Sequence, residues 1–196
     1  GEPGAKAAVG GTTGTNISLV SGKANIATAS SNVVSWAHAR NAGFLVSNAL
    51  TILTESTSWA DASVRAGDGN VGFVGIGVTV ITANAGGTFD AYLKAQAGKS
   101  IEVGTLTVKN IYSARAYAVA ARPSGGFDVT LMSVKVNRAA AAASPTASAY
   151  IQGPGSLKAA GGIAVDIQGT ARADALILGR VTYEMMEAGW RPFAQT

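Results

Sequence analysis

The stretch Gly72 to Leu93, GFVGIGVTVITANAGGTFDAYL, decides the fold. Laid without gaps over Gly43 to Val64, GFLVSNALTILTESTSWADASV, it matches Gly-Phe at the start and Asp-Ala near the end. The offset from Gly43 to Gly72 is one repeat unit. A third copy opens at Gly126-Phe127, close to two more such steps beyond Gly72. A recurring period of this size marks a repeat architecture.

Working outward, the glycines Gly14, Gly43, Gly72, Gly98, Gly126 and Gly155 follow one another at spacings of 29, 29, 26, 28 and 29. An apolar column trails each of the later ones: Ala49 to Leu53, Val78 to Ile81, Thr105 to Val108, Val134 to Val136 and Ile163 to Ile167. Short β-branched, period-2 runs of this kind read as strands. A further column alternates alanine with a variable residue, as in Ala37-His38-Ala39, Ala60-Asp61-Ala62, Ala114 to Ala118, Ala147-Ser148-Ala149 and Ala171 to Ala175, with Phe89-Asp90-Ala91 in the third unit. Because strand side chains alternate faces, the alanines are expected to line a narrow interior and His, Asp, Arg and Tyr to face solvent.

Three strand-like columns per ~28 residues suit an all-β parallel β-solenoid, in which stacking gives each unit the cover it cannot supply itself. The stretches 66–70 (AGDGN), 83–87 (ANAGG), 122–126 (RPSGG) and 152–155 (QGPG) are expected turns. Ala139 to Ala143 reads as an insertion bulging from one face. An antiparallel sandwich or barrel is the competing architecture. The expected division is a flexible arm over 1–13, a β-solenoid domain over 14–178 and a C-terminal cap or fusion tail over 179–196.

Composition narrows the function classes. The 196 residues are 47% hydrophobic and only 13% charged, with 25 glycines and 5 prolines, too apolar for a disordered chain. The net charge is +4, but Lys6, Lys23, Arg40, Arg65, Lys94, Lys99, Lys109, Arg115 and Arg122 are scattered, which argues against a nucleic-acid surface. The lack of cysteine excludes disulfides and thiolate chemistry. No apolar run reaches the ~18 residues of a helical membrane span. Starting at Gly1 without Met or signal peptide, the chain is expected to be a mature or excised piece.

The Gly-Phe openings, the VTV-type strands and the closures Asp90-Ala91-Tyr92-Leu93 and Ser148-Ala149-Tyr150-Ile151 resemble the repeats of large bacterial filamentous adhesins, the haemagglutinin-like and leukotoxin-like exported proteins. The resemblance covers about residues 14–177. It implies a right-handed β-helix of about six coils, secretion or cell-surface display, and an adhesive or structural role instead of catalysis. A host surface or glycan is the partner an adhesive role implies; the unpaired strand edges at the two open ends of such a stack separately predict association with other copies of the chain, in an oligomer or filament.

Ala173 to Glu184, ADALILGRVTYE, carries a second resemblance, to the strand–turn–helix of the dihydrofolate-reductase-like family, including the riboflavin-pathway reductases. It implies that Gly179, Arg180 and Thr182 hold the phosphate of NADPH at a helix N-terminus, where amides and Arg suit an anion. The match covers only 173–196, and that family's N-terminal strand and substrate pocket are not found upstream. The alternative is a final strand and a short amphipathic helix, Val181 to Ala188, with Met185, Met186 and Trp190 capping the solenoid.

No catalytic, cofactor or metal residue is assigned. Gly98-Lys99-Ser100 resembles the end of a phosphate loop, but Leu93 stands where that pattern needs glycine. Asp61, Asp68 and Asp90 lack calcium-loop spacing, and His38 has no partner at a motif spacing. Asn16-Ile17-Ser18 is a glycosylation sequon. The threonines form no unbroken outward array of the kind an ice-binding face needs. A carbohydrate-binding solenoid is a further alternative, although the 11 acids offer no pair of the sort glycan hydrolysis uses.

Overall fold

The computed structural model describes residues 4–10, 16–42, 44–65, 70–121 and 128–178, and nearly all of these are β-strand, with no helix among them. In chain order the strands are β1 (Gly4–Gly10), β2 (Asn16–Ala42), β3 (Phe44–Arg65), β4 (Asn70–Ala95), β5 (Ser100–Ala121), β6 (Asp128–Gln152), β7 (Ser156–Ala159) and β8 (Ile163–Leu178). They form two sheets. One holds β1, β3 and β5, with β7 and β8 both on β5; the other runs β2-β4-β6. Every pairing is parallel. The chain therefore crosses from one sheet to the other after each long strand.

The step between paired strands is about twice the offset seen in the sequence. Asn16 pairs with Asn70, and Asn70 with Asp128. Leu106 pairs with Ile163 in the other sheet. The repeat unit is thus one long strand and its turn, and two units are needed to return to the same sheet. The expectation of three short strands and a full coil per unit is corrected accordingly. Strands of 22 to 27 residues far exceed the usual ~5–6. Columns that looked like separate strands are successive parts of one.

Three other expectations change. ANAGG (83–87) is no turn; it lies inside β4, paired throughout with Ala29 to Val33. Ala139 to Ala143 does not bulge, because β6 follows β4 in register around it. Gly4 to Gly10, expected in the arm, pairs with Trp59 to Arg65 of β3. Of the other expected turns, 153–155 falls between strands, while 66–69 and 122–127 lie outside the described residues. Residues 179–196, including the expected cap helix, lie outside the described residues.

The alternation of faces follows the sequence pattern. Ala60, Ala62, Ala83, Ala85, Ala116 and Ala118 are buried between the sheets, while Asp61, Arg115 and Tyr117 point outward. Val64 and Ile81 complete this compartment among the alanines. A second compartment holds Ile52, Leu93, Ile101, Val103, Leu106 and Val108. Each fully buried Leu or Ile there contributes about 1.5–3 kcal/mol.

A belt of polar side chains separates the compartments. Thr54 Oγ1 donates to Asp90 O at 2.7 Å and accepts from Ala37 N at 3.1 Å. Ser58 Oγ donates to Ser31 Oγ at 3.1 Å. Asn110 Nδ2 donates to Phe89 O, and to Ser148 O at 3.0 Å. Thr54 and Asn110 Nδ2 thereby tie one sheet's side chains to the other sheet's backbone carbonyls, while Asn110 Oδ1 is buried without a hydrogen-bond partner among the described residues.

Candidate functional site

A cluster of aromatic side chains lies on the outer face of the β2-β4-β6 sheet. The register sets His38 beside Tyr92 and Tyr92 beside Tyr150. Their rings stack at 5.0 Å for both pairs, with planes within 10°. Trp36, two positions before His38 and so on the same face, stacks on the histidine at 4.6 Å and 4°. Four parallel rings thus form one row across three strands. Stacked aromatic pairs of this kind add about 0.5–1.5 kcal/mol each beyond their area burial. Trp36 remains 57% exposed.

Polar groups flank the row. Asp90 lies beside Trp36 in register, and its Oδ1 accepts a 2.5 Å hydrogen bond from Ser148 Oγ on the next strand. On the other side Arg40, Lys94 and Gln152 stand in the neighbouring column, the first two being exposed cations. An exposed indole beside a carboxylate, with two cations past the far side of the ring row, suits an extended ligand with both apolar and polar surface.

The remaining sequence signals fall elsewhere. Gly98-Lys99-Ser100 closes the turn between β4 and β5, where Lys99 N donates to Gln96 O at 3.1 Å. Gly98 has φ 72°, the left-handed value a type II turn requires at its third residue, so the segment is a tight turn. Among the described residues no three acidic or histidine side chains cluster as a metal site would need, and no helix is long and apolar enough to cross a membrane. Asn16 of the sequon opens β2. Of the reductase-like segment, Ala173 to Leu178 belong to β8; Gly179, Arg180 and Thr182 lie outside the described residues.

The closures in the sequence already align Tyr92 with Tyr150; His38 joins them only at the two-unit step between paired strands, and Trp36 by its place two residues before His38. Placing Ala37-His38-Ala39 above Ala91-Tyr92-Leu93 and Ala149-Tyr150-Ile151 shows the aromatic column at once. Comparison with family models, curated proteins and solved structures returned no match.

Proposed function

We propose that this chain is a non-enzymatic β-solenoid segment of an exported bacterial adhesin, secreted or displayed at the cell surface, with a structural or adhesive role. The observation that carries the reading is a pair of parallel sheets packed face to face, between which the chain alternates with a nearly constant two-unit step. Such a body is built to extend along the stacking direction, and its outer faces are broad surfaces for contact. In this reading one strand from each sheet makes a coil, the winding is right-handed, residues 179–196 form a short helical cap over the end of the β2-β4-β6 sheet, and copies of the chain associate end to end through the edge that this leaves open.

Electron microscopy of the purified chain tests this. Rods or fibres with a ~4.8 Å repeat along the stacking axis are expected. Compact particles with no such repeat, at any concentration, would remove the filament reading.

A second reading, glycan binding, is favoured by the exposed Trp36 at the end of the ring row. Sugar rings pack their C–H faces on indole; Asp90 stands beside Trp36 to meet hydroxyls, and Arg40 and Lys94, beyond His38 and Tyr92, meet acidic groups further along the ligand. Binding on a glycan array that Trp36→Ala abolishes would support it; an array with no signal would remove it.

A further inference from the structure

The C-terminal edge of the β1-β3-β5-β8 sheet is uncovered among the described residues. On β5 the inward-facing Leu106 and Val108 are 1% and 0% exposed, and Ala116 and Ala118 are fully buried. Their register partners on β8 face the same way. Yet Ile163 and Val165 are 51% and 47% exposed, and Ala173 and Ala175 are open to solvent. The row is the same core row, and no described strand lies on it. A free, apolar strand edge is a template for another strand.

At the other end, β1 caps only Trp59 to Arg65 of β3. Its alternate residues Ala5 and Ala7 join the alanine compartment half-buried, while Lys6 and Ala8 face out exposed.

We propose that β1 of a second copy adds in parallel to the free edge of β8, continuing the existing register so that Gly4 to Gly10 of that copy lie beside Arg172 to Leu178. The columns fit. Ala5 and Ala7 of the second copy extend the inward row of Ala173 and Ala175, which already runs through Ala60 and Ala62 to Ala116 and Ala118. On the outer face Lys6 arrives beside Asp174, whose Oδ2 already accepts from Arg172 Nε at 2.6 Å. Opposite charges directly across a strand pair are favourable and like charges are not. The rival arrangement, in which β8 of one copy displaces β1 of another, is disfavoured by that rule because it sets Asp174 beside Asp61. The contact is heterologous, so it leaves a free β8 and a free β1 at the ends and propagates as an open filament. On the other sheet it leaves a strand-wide space between β6 and the second copy's β2.

This pairing rests on the self-association proposed above, and the test separates the two. The chain has no cysteine, so the double variant Ala8→Cys/Leu176→Cys carries the only thiols. Within one chain those positions are three strand spacings apart, through Ser63 and Val119. That is ~14 Å, beyond the ~7 Å a disulfide can span. In the proposed contact they are direct neighbours. Mild oxidation is expected to give a ladder of disulfide-linked multimers on non-reducing gels. A control, Ala8→Cys/Asp166→Cys, with its second thiol far along the same face of β8, should give no ladder. Sedimentation of the unmodified chain runs alongside. Oligomers that sediment but do not cross-link, or cross-link equally in both variants, overturn this register and leave self-association standing. A monomer under all conditions means that the edge is closed from within the chain, and overturns both.

Discussion

Leu106→Ala and Ile163→Ala remove the same three carbons from register partners on adjacent strands, one covered and one not. At Leu106, 1% exposed, the lost transfer energy is about 2.4 kcal/mol at ~0.8 per methylene. The enclosed void raises the total to roughly 3–4 kcal/mol. At Ile163, 51% exposed, only about half the transfer energy is at stake and no closed void forms, so the loss is about 1.2 kcal/mol. For a chain of this size that corresponds to a fall in Tm of roughly 6–16 °C for the first variant and roughly 2–5 °C for the second. Thermal and urea unfolding followed by far-UV circular dichroism, at a concentration where the chain sediments as a monomer, measure both. Equal losses would refute the reasoning, because they would mean that β8 is as well covered as β5.

Four further outcomes are expected. Gly87 has φ +152°, and a Cβ there would lie 2.1 Å from Val33 O; Gly87→Ala should cost at least ~2 kcal/mol in urea unfolding, and a loss under ~0.5 kcal/mol would contradict the close approach. Asn110→Asp replaces two donated hydrogen bonds with a buried carboxyl facing the carbonyls of Phe89 and Ser148. The protonated form alone can donate there, so its folded pKa should lie above the unfolded value. Stability of this variant should therefore rise from neutral towards acid pH, relative to the unmodified chain; a flat difference would count against the belt. Tyr92→Ala breaks both ring contacts to His38 and Tyr150 and should cost about 1–3 kcal/mol, with loss of near-UV dichroism as the direct sign. Titration calorimetry with NADPH should give no binding heat; saturable binding lost in Arg180→Ala would revive the reductase-like reading.

Much of the fold was legible because alternation is local. Ala60-Asp61-Ala62 and Ala114 to Ala118 declare one buried and one solvent face within a few positions, and the structure keeps that division. The register was not legible from the same columns. Phe44 and Phe73 stand in similar sequence contexts because each lies near the start of a long strand, yet those strands, β3 and β4, belong to different sheets. Nothing in a one-unit offset says whether the chain has gone round once or halfway. The glycines in 83–87 misled for a related reason: turn chemistry and close approach of neighbouring backbone both select glycine, and at Gly87 it is the approach to Val33 that does so. The polar belt was hidden as well, since Thr54 and Asn110 look no different in sequence from outward-facing residues. Their role appears only when the opposite sheet's carbonyls are placed against them.

The parallel register with its two-unit step is the claim on which the rest stands, and paired cysteines within one chain test it most directly. Thr28 and Thr82 are register neighbours on the same outer face of β2 and β4. Leu53 and Thr82 fall in one column when Gly43 is laid on Gly72, but they stand on different sheets. Oxidised Thr28→Cys/Thr82→Cys is expected to form an intrachain disulfide quantitatively, and Leu53→Cys/Thr82→Cys to remain reduced. Closure of the second pair with failure of the first would contradict the two-sheet arrangement and restore one full coil per repeat unit.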